Sequence, residues 1–213
     1  MMTAANSSSS ADATVIGGGL VGLAVAIGLQ DRGLQVAIVD EGDIALRASR
    51  GNFGLVWVQG KGDTCPPYAR LSRMSAQRWG AFAAQLRAAT GIDVQLEQRG
   101  GLYICLTEAE LEHRRLLLEA MRTALGGDYP FDILDQAALR AKVPEIGATV
   151  AGATWGPEDG HVNPLLLLRA MAQRFTDAGG QLLTCGPVTR IEPGNGRFVS
   201  YAGTQRIESE RVV

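Results

Sequence analysis

The sequence has few of the residues that stabilise disulfide-rich proteins or bind metals. Only three of its 213 residues are cysteines and only two are histidines. Cys65, Cys105 and Cys185 are widely separated and odd in number, which argues against a disulfide framework and against a C-x-x-C redox or zinc motif. His113 and His161 are also too far apart to suggest a local metal site. We therefore expect no metal in this protein.

Net charge and long apolar runs are also scarce. Lys and Arg total 20 and Asp and Glu total 22, so the net charge is −2 at pH 7, and no block of like charges predicts a nucleic-acid partner. No uninterrupted apolar segment reaches the roughly 18 residues of a transmembrane span. The N-terminus, MMTAANSSSSAD, lacks the basic and apolar regions of a signal peptide. We therefore expect residues 1–11 to form a flexible tail and the protein to be cytoplasmic.

Glycine, in contrast, is abundant, and three glycines form a dinucleotide-binding motif. Residues 13–40, ATVIGGGLVGLAVAIGLQDRGLQVAIVD, predict a strand, a tight turn, a helix over 20–32 and a second strand. Gly17, Gly19 and Gly22 follow the G-x-G-x-x-G spacing. The first permits the turn, the second lets the backbone approach a pyrophosphate, and the third lets the helix pack closely on the strand. The helix N-terminus then directs its unpaired N–H groups at the phosphates.

An acid closes this motif. Asp40 follows Gly22 by 18 residues (40 − 22), close to the spacing of about 20 for a carboxylate that binds ribose hydroxyls. A carboxylate there would repel a 2′-phosphate, so the motif disfavours NADP. The motif alone does not distinguish FAD from NAD, and a purely structural βαβ unit is its simplest alternative.

Residues 41–67 contain several glycines and two prolines and predict a long loop. Arg47, Arg50 and Lys61 make this loop basic. The simpler interpretation is a solvated basic loop. The alternative is that Ser49 and Arg50 add hydroxyl and guanidinium contacts to a diphosphate held by the glycine turn.

Hydrophobic periodicity predicts the remaining elements. The predicted helices cover 68–90, 108–125, 136–142 and 165–178, and the predicted strands cover 54–58, 94–97, 102–106, 131–134, 151–155, 181–184, 187–192, 197–201 and 206–213. A Gly-Gly pair between the second and third of these strands predicts a hairpin. The last strand has no turn or polar tail behind it, so we expect a fragment of a longer chain, with this strand as an unpaired apolar edge.

With these pieces in order, the chain resembles the FAD-dependent D-amino-acid oxidase and dehydrogenase superfamily, called the DAO family. Four segments carry the likeness: residues 13–40, the S-x-x-N-x-G loop at 49–54, GHVNP at 160–164, and GGQLLTCGPVTRIEP at 179–193. The segments VQGKG, YARLS and GGLYICL are similar, more narrowly, to the flavin-bearing β subunits of D-hydroxyproline dehydrogenase and opine oxidase.

The resemblance implies an α/β fold with a Rossmann-type, parallel-sheet FAD-binding domain interrupted by an α+β substrate-domain insertion. The FAD-binding domain would comprise residues 12–64 and 160–213, and the start of the substrate domain would comprise residues 65–159. The implied activity is oxidation of the C–N bond of an amino acid or amine by hydride transfer to FAD. The implied partners are that small-molecule substrate and other dehydrogenase subunits in a hetero-oligomer.

The resemblance also implies cofactor-binding residues. Gly17, Gly19 and Gly22 match the diphosphate turn, and Asp40 matches the ribose acid. The second phosphate and flavin loop is matched by Ser49, Asn52 and Gly54, and the backbone that meets adenine is matched by Val188. An ordinary loop-shaping role is the alternative for Asn52.

No catalytic residue can be carried over, because most of the family's flavin-ring and substrate contacts come from regions that follow the last strand of this sequence. Two other classes of function remain open at this point. One is an NAD-dependent dehydrogenase, which would share the glycine motif but would not need the loop at 49–54. The other is a non-catalytic FAD-binding fragment or subunit.

Overall fold

The computed structural model describes residues 8–42 and 48–213. Residues 1–7 of the predicted tail and Arg47 of the basic loop lie outside the described residues. The elements are β1 (Ser8–Ile16), α1 (Leu20–Gln30), β2 (Val36–Asp40), β3 (Leu55–Val56), α2 (Pro66–Thr90), β4 (Gly101–Cys105), α3 (Glu108–Ala124), β5 (Asp132–Asp135), α4 (Gln136–Lys142), β6 (Gly152–Gly156), β7 (Gly160–His161), α5 (Pro164–Asp177), β8 (Gln181–Thr184), β9 (Val188–Gly194), β10 (Arg197–Ala202) and β11 (Gln205–Val212).

The chain divides into two compact units. Unit 1 comprises Met1–Asn52, Gln85–Val94 and Pro164–Val213, and unit 2 comprises Phe53–Ala84 and Gln95–Asn163. The predicted boundaries at 64/65 and 159/160 therefore differ from these limits. The main reason is that β3 pairs with β7, so both strands belong to unit 2 and not to the predicted FAD-binding domain.

Unit 1 is built on a six-stranded sheet with the order β8-β2-β1-β11-β10-β9. The first four strands are mutually parallel, and β10 and β9 follow as antiparallel neighbours. Near-continuous apolar strands such as β2, whose Val36, Ala37, Ile38 and Val39 are all buried, are typical of parallel sheets covered on both faces. Helix α1 packs against β1, β2 and α5.

Strand β1 begins earlier than its sequence predicts. Residues 8–11 were expected in the flexible tail, but Ser8 to Ala11 lie alongside Arg206 to Ser209 of β11 in parallel register. The Arg197 guanidinium also donates to the Ser10 hydroxyl and to the Ala11 carbonyl, both at 3.1 Å. Serine has a low strand propensity, but these tertiary partners override it.

The expectation that the last strand would be an unpaired edge is wrong. Strand β11 lies between β1 and β10 and is hydrogen-bonded to both. Two tight turns produce this position, because Asn195, Gly196 and Gly203 all adopt positive φ angles and fold β9, β10 and β11 into a meander. The meander returns the chain to the side of β1.

Unit 2 contains an antiparallel sheet with the order β4-β6-β5 and the short pair β3-β7. Helices α3 and α4 pack on the larger sheet. Thr107 and Glu110 form a reciprocal capping box at the start of α3, and the Asp135 side chain caps α4. No helix among the described residues is long and apolar enough to span a membrane.

The predicted hairpin of residues 94–97 and 102–106 does not form. Strand β4 pairs with β6, and Glu97 makes only an isolated bridge to His161. The Gly-Gly pair that suggested a hairpin turn instead lets two tryptophan rings pack against the backbone. A Cβ on Gly101 would lie 2.6 Å from the Trp57 ring, and a Cβ on Gly100 would overlap the Trp155 indole.

Candidate cofactor site

The glycine turn has the geometry that its spacing predicts. Gly17 follows β1 with φ +105° and donates its N–H to the Val39 carbonyl at 2.8 Å. Gly19 is the N-cap residue of α1, and its extended backbone has no side chain to block the helix N-terminus. A Cβ on Gly22 would overlap the Gly17 carbonyl oxygen. Only glycine at position 22 therefore lets α1 start this close to the end of β1.

The Asp40 carboxylate stabilises this turn through two hydrogen bonds. Its Oδ2 accepts the Gly18 N–H at 2.7 Å and its Oδ1 accepts the Gly42 N–H at 2.9 Å. A carboxylate has about four acceptor positions, so these two bonds leave acceptor capacity for other donors. Gly18 was not predicted as a site residue, although it lies in the GGG run of residues 17–19. A Cβ on Gly18 would lie 3.3 Å from the Asp40 Cβ, so glycine lets the two residues approach closely.

Ser49 lies at the same turn. Its hydroxyl oxygen accepts the Leu20 N–H, the first of α1, at 3.1 Å. A Cβ on Gly19 would lie 2.9 Å from this oxygen. The hydroxyl and the positive end of the α1 dipole therefore converge at one point, which is an arrangement suited to an anion.

These groups line a cleft of about 200 Å³ at the carboxyl ends of the parallel strands of unit 1. Its lining residues are Gly18, Gly19, Leu23, Asp40, Gly42, Ser49, Arg50, Leu168, Ala172, Leu182 and Thr184. Backbone N–H groups, a hydroxyl and a guanidinium suit phosphate oxygens, whereas the Asp40 carboxylate suits sugar hydroxyls. The residues present therefore fit a dinucleotide diphosphate and its ribose.

Five predicted site residues do not line this cleft, and two of them, Gly17 and Gly22, instead shape the glycine turn. Asn52 donates its side-chain N–H to the Ser49 carbonyl at 2.9 Å, which supports the loop-shaping alternative. Gly54 belongs to unit 2, where its carbonyl accepts the Val162 N–H at 2.8 Å. Val188 begins β9 and packs, half-buried, against a core cluster of unit 1.

Seven lining residues were not predicted from the sequence: Gly18, Leu23, Gly42, Leu168, Ala172, Leu182 and Thr184. Gly42 could have been found, because it follows the ribose acid by two residues in a chain that must turn there. The last four lie on α5 and β8, and no local spacing connects them to the glycine motif. Their position depends on the pairing of β8 with β2, which brings Thr184 level with Asp40.

Comparison with known proteins identifies relatives of this chain. It is 41% identical over 203 residues to a subunit of opine oxidase from Agrobacterium tumefaciens (strain Ach5), covering 95% of this chain and 55% of that protein. It is 30% identical over 172 residues to glycine oxidase of Geobacillus kaustophilus (strain HTA426), covering 80% of this chain and 45% of that protein. The chain thus spans about half the length of the curated relatives it matches.

The fold comparison agrees. The crystal structure of glycine oxidase from Geobacillus kaustophilus has a TM-score of 0.87 to this structure at 27% identity, covering 96% of this chain and 54% of that one. This similarity confirms the predicted α/β fold, and the partial coverage is consistent with the predicted fragment.

The family match covers almost the whole chain. The family described as FAD dependent oxidoreductase, DAO, matches residues 12–213. This match confirms the resemblance drawn from the four sequence segments, and it names FAD as the family's cofactor, which decides against the NAD alternative. The chain belongs to the DAO family of FAD-dependent oxidoreductases.

Proposed function

We propose that the protein oxidises the C–N bond of an amino acid or secondary amine, of the D-amino acid, D-hydroxyproline or opine type. The observation that carries this proposal is the meeting of the glycine turn, Asp40 and Ser49 at one cleft in a member of an FAD-dependent family. The substrate class is supported by relatives named opine oxidase and glycine oxidase.

The residues of the cleft would bind the adenine half of FAD. We propose that Gly17, Gly19 and Gly22 admit the diphosphate to the N-terminus of α1, with Ser49 as a hydroxyl contact. Arg50, which lines the same cleft, would add a charge-assisted hydrogen bond. Asp40 would accept hydrogen bonds from the ribose hydroxyls while it holds the turn.

Two other contacts are proposed from the family likeness. The main chain at Val188 would meet adenine, and Gly54 would belong to the loop nearest the flavin. Asn52 would act indirectly, because its hydrogen bond to the Ser49 carbonyl fixes the loop that presents the Ser49 hydroxyl.

When bound, the flavin would supply the redox chemistry by accepting the hydride from the carbon that carries the amine, and the resulting imine would hydrolyse. The part of the protein in this chain orients the cofactor. Unit 2 would form the start of the substrate domain. We also propose that the protein assembles with other dehydrogenase subunits, because its relative from Agrobacterium tumefaciens is named as one part of a multi-subunit oxidase.

An absorbance spectrum of the full-length protein tests the proposal. We expect flavin bands that bleach under anaerobic conditions when a D-amino acid, D-proline or an opine is added. A Gly19→Val variant without flavin bands would be the control. Flavin that no member of the amine panel reduces would favour the alternative of a non-catalytic FAD-binding subunit.

A further inference from the structure

Thr184 is the last residue of β8, and it lines the cleft of unit 1 together with Asp40. The two residues are partners in the parallel pairing of β2 with β8, so their side chains leave the same face of the sheet side by side. Neighbouring strands lie about 4.8 Å apart, which brings the Thr184 side chain within reach of a small group held by Asp40. The end of β8 is therefore part of the site that the end of β2 forms.

Gly42 connects these two strand ends. Its N–H donates to Asp40 Oδ1 at 2.9 Å, and its φ of +88° turns the chain toward β8. A Cβ on Gly42 would lie 3.9 Å from the Thr184 Cβ. The backbone that fixes one oxygen of Asp40 thus lies directly beside Thr184, and the three residues form one continuous edge of the cleft.

The Thr184 hydroxyl is accessible to a ligand in this cleft. The residue is exposed, and within residues 8–42 and 48–213 its hydroxyl makes no hydrogen bond. A threonine hydroxyl offers a donor as well as acceptor positions, whereas an ionised carboxylate such as that of Asp40 only accepts. Together the two side chains present a donor next to an acceptor. This combination suits a sugar hydroxyl, which itself both donates and accepts.

The groups that line the cleft change in character across the sheet. The N-terminus of α1, which follows β1, and the Ser49 hydroxyl suit a diphosphate. Strand β2 comes next and ends in Asp40, and β8 lies beyond it and supplies Leu182. With Leu168 and Ala172 of α5, Leu182 forms the kind of apolar surface that accommodates a purine ring. A nucleotide would therefore lie with its phosphates toward β1 and its base toward β8.

This direction determines which ribose hydroxyl meets Thr184. The 2′ carbon of the adenosine ribose adjoins the carbon that carries the base, whereas the 3′ carbon lies nearer the phosphates. We propose that the Thr184 hydroxyl donates to the 2′-hydroxyl oxygen of the adenosine ribose of FAD, whose own O–H donates to Asp40. Thr184 is then a positioning residue for the cofactor, and the cleft distinguishes ribose from 2′-deoxyribose. This inference rests on the proposed binding of the adenine half of FAD in this cleft, and it does not depend on which amine is oxidised.

The test uses the full-length protein freed of FAD. ADP, 2′-deoxy-ADP and 3′-deoxy-ADP compete with FAD, and flavin fluorescence gives the dissociation constant of each nucleotide. Thr184→Val removes the hydroxyl at nearly constant shape, and Thr184→Ser keeps it. Thr176→Val is the matched control, because Thr176 is an exposed threonine of unit 1 that does not line the cleft, and its hydroxyl donates to the Ala172 and Gln173 carbonyls of its own helix.

We expect Thr184→Val to weaken binding of ADP by about 3- to 12-fold, as for loss of one neutral hydrogen bond. Binding of 3′-deoxy-ADP should weaken by the same factor. Binding of 2′-deoxy-ADP should change by less than about 1.5-fold, because the contact is already absent. Thr184→Ser should keep the affinity for ADP within about twofold, and Thr176→Val should leave all three constants within about 1.5-fold.

A loss of the same size for ADP and 2′-deoxy-ADP would overturn the proposal, because the hydroxyl would then serve the fold or the base. No loss for ADP, or a loss that disappears with 3′-deoxy-ADP, would also overturn it. Failure of ADP to displace FAD from the wild type would overturn both the proposed cleft and this inference.

The outcomes separate this inference from the proposed function. If Asp40→Ala weakens binding of ADP and Thr184→Val does not, the proposed cleft stands and the role of Thr184 fails. If no amine reduces the flavin but Thr184→Val shows the loss that depends on the 2′-hydroxyl, amine oxidation fails and the role of Thr184 stands.

Discussion

At the scale of single residues, Gly19 controls access to the N-terminus of α1. We expect Gly19→Val to abolish FAD binding, because a Cβ at this position already lies 2.9 Å from the Ser49 hydroxyl and a branched side chain would fill the cleft. The measurement is flavin content per protein after purification. Gly28→Ala, in the same helix with its Cβ 3.8 Å from the nearest atom, is the control and should retain flavin. Normal flavin content in Gly19→Val would contradict the motif assignment.

Asp40 holds the glycine turn and is proposed to bind the ribose, so its substitution tests both roles together. We expect Asp40→Ala to weaken FAD binding by about 1.5–3 kcal/mol, the range for a hydrogen bond to a charged group. Part of this loss would come from the turn, since the carboxylate also accepts the Gly18 and Gly42 N–H groups. Titration of the apoprotein with FAD gives the dissociation constant. An unchanged constant in Asp40→Ala would mean that the carboxylate serves neither the ribose nor the turn.

Part of the cleft could be predicted, because some of its residues lie close together along the chain. Spacing pointed to Gly19 and Asp40, and both the basic loop and the family likeness pointed to Ser49. The wall formed by α5 and β8 could not be predicted. Its residues follow Asp40 by 128 positions or more (168 − 40) and line the cleft only after the sheet has formed. Thr184, for example, has no local feature that relates it to Asp40.

At the scale of elements, the capping box of α3 was predictable because both partners lie within one helical turn. We expect Thr107→Ala to lower the free energy of unfolding by about 1 kcal/mol, since it removes the acceptor for the Glu110 N–H. Thr123→Ala, at the other end of the same helix, should cost less than about 0.5 kcal/mol. Urea denaturation measures both values, and equal losses would exclude a specific capping effect.

The predicted hairpin, in contrast, was wrong because the contacts that decide this region's structure come from residues distant in sequence. A Gly-Gly pair between two short apolar runs is compatible with a tight turn, but it is also compatible with two positions where large rings pack onto the backbone. Strand β4 is paired by β6, about 50 residues later, and Trp155 occupies the space beside Gly100. Local sequence could not distinguish these cases, because the deciding residue lies in the partner strand.

The buried acid of the turn between β6 and β7 gives a pH-dependent prediction. Burial raises the pKa of Asp159 above its ordinary value, and the Val58 and Gln59 N–H donors partly oppose this. The native state therefore holds a proton more tightly than the unfolded chain. The stability from this group is present below the ordinary carboxyl pKa of about 4 and declines as pH rises through the folded pKa.

Asp159→Asn should lack this decline, because an amide oxygen can still accept the Val58 N–H but does not titrate. We expect the free energy of unfolding of the wild type to fall relative to that of Asp159→Asn as pH rises from about 4. Urea midpoints of both proteins across a pH series measure the difference. A difference that does not vary with pH would contradict the raised pKa.

At the scale of the whole molecule, we expect the cofactor cleft and the catalytic machinery to lie in different parts of the sequence. Every residue that lines the cleft belongs to unit 1. We therefore expect residues 1–213 alone to retain some affinity for the adenine half of FAD. By family likeness, the groups that hold the flavin ring and the substrate carboxylate lie in the part of the relatives that this chain does not span, so we expect no turnover.

Turnover is measured as dye reduction in the presence of excess FAD and a panel of D-amino acids and N-substituted amino acids. The full-length protein is the control. Turnover by residues 1–213 near that of the full-length protein would contradict the prediction. The expected inactivity does not depend on an unpaired strand edge, because β11 has hydrogen-bonded neighbours on both sides.

The parallel pairing of β1 with β11 also determines when the protein can fold. These strands join residues nearly 200 positions apart, such as Ala11 and Ser209. Such non-local contacts slow folding, because a long loop must close before the pairing stabilises it. During synthesis, β1 and the glycine turn leave the ribosome well before residues 205–212, and one side of β1 is uncovered until those residues emerge. A nascent chain would therefore expose an apolar strand edge until β11 emerges, and it would depend on chaperones more than a protein whose neighbouring strands are consecutive.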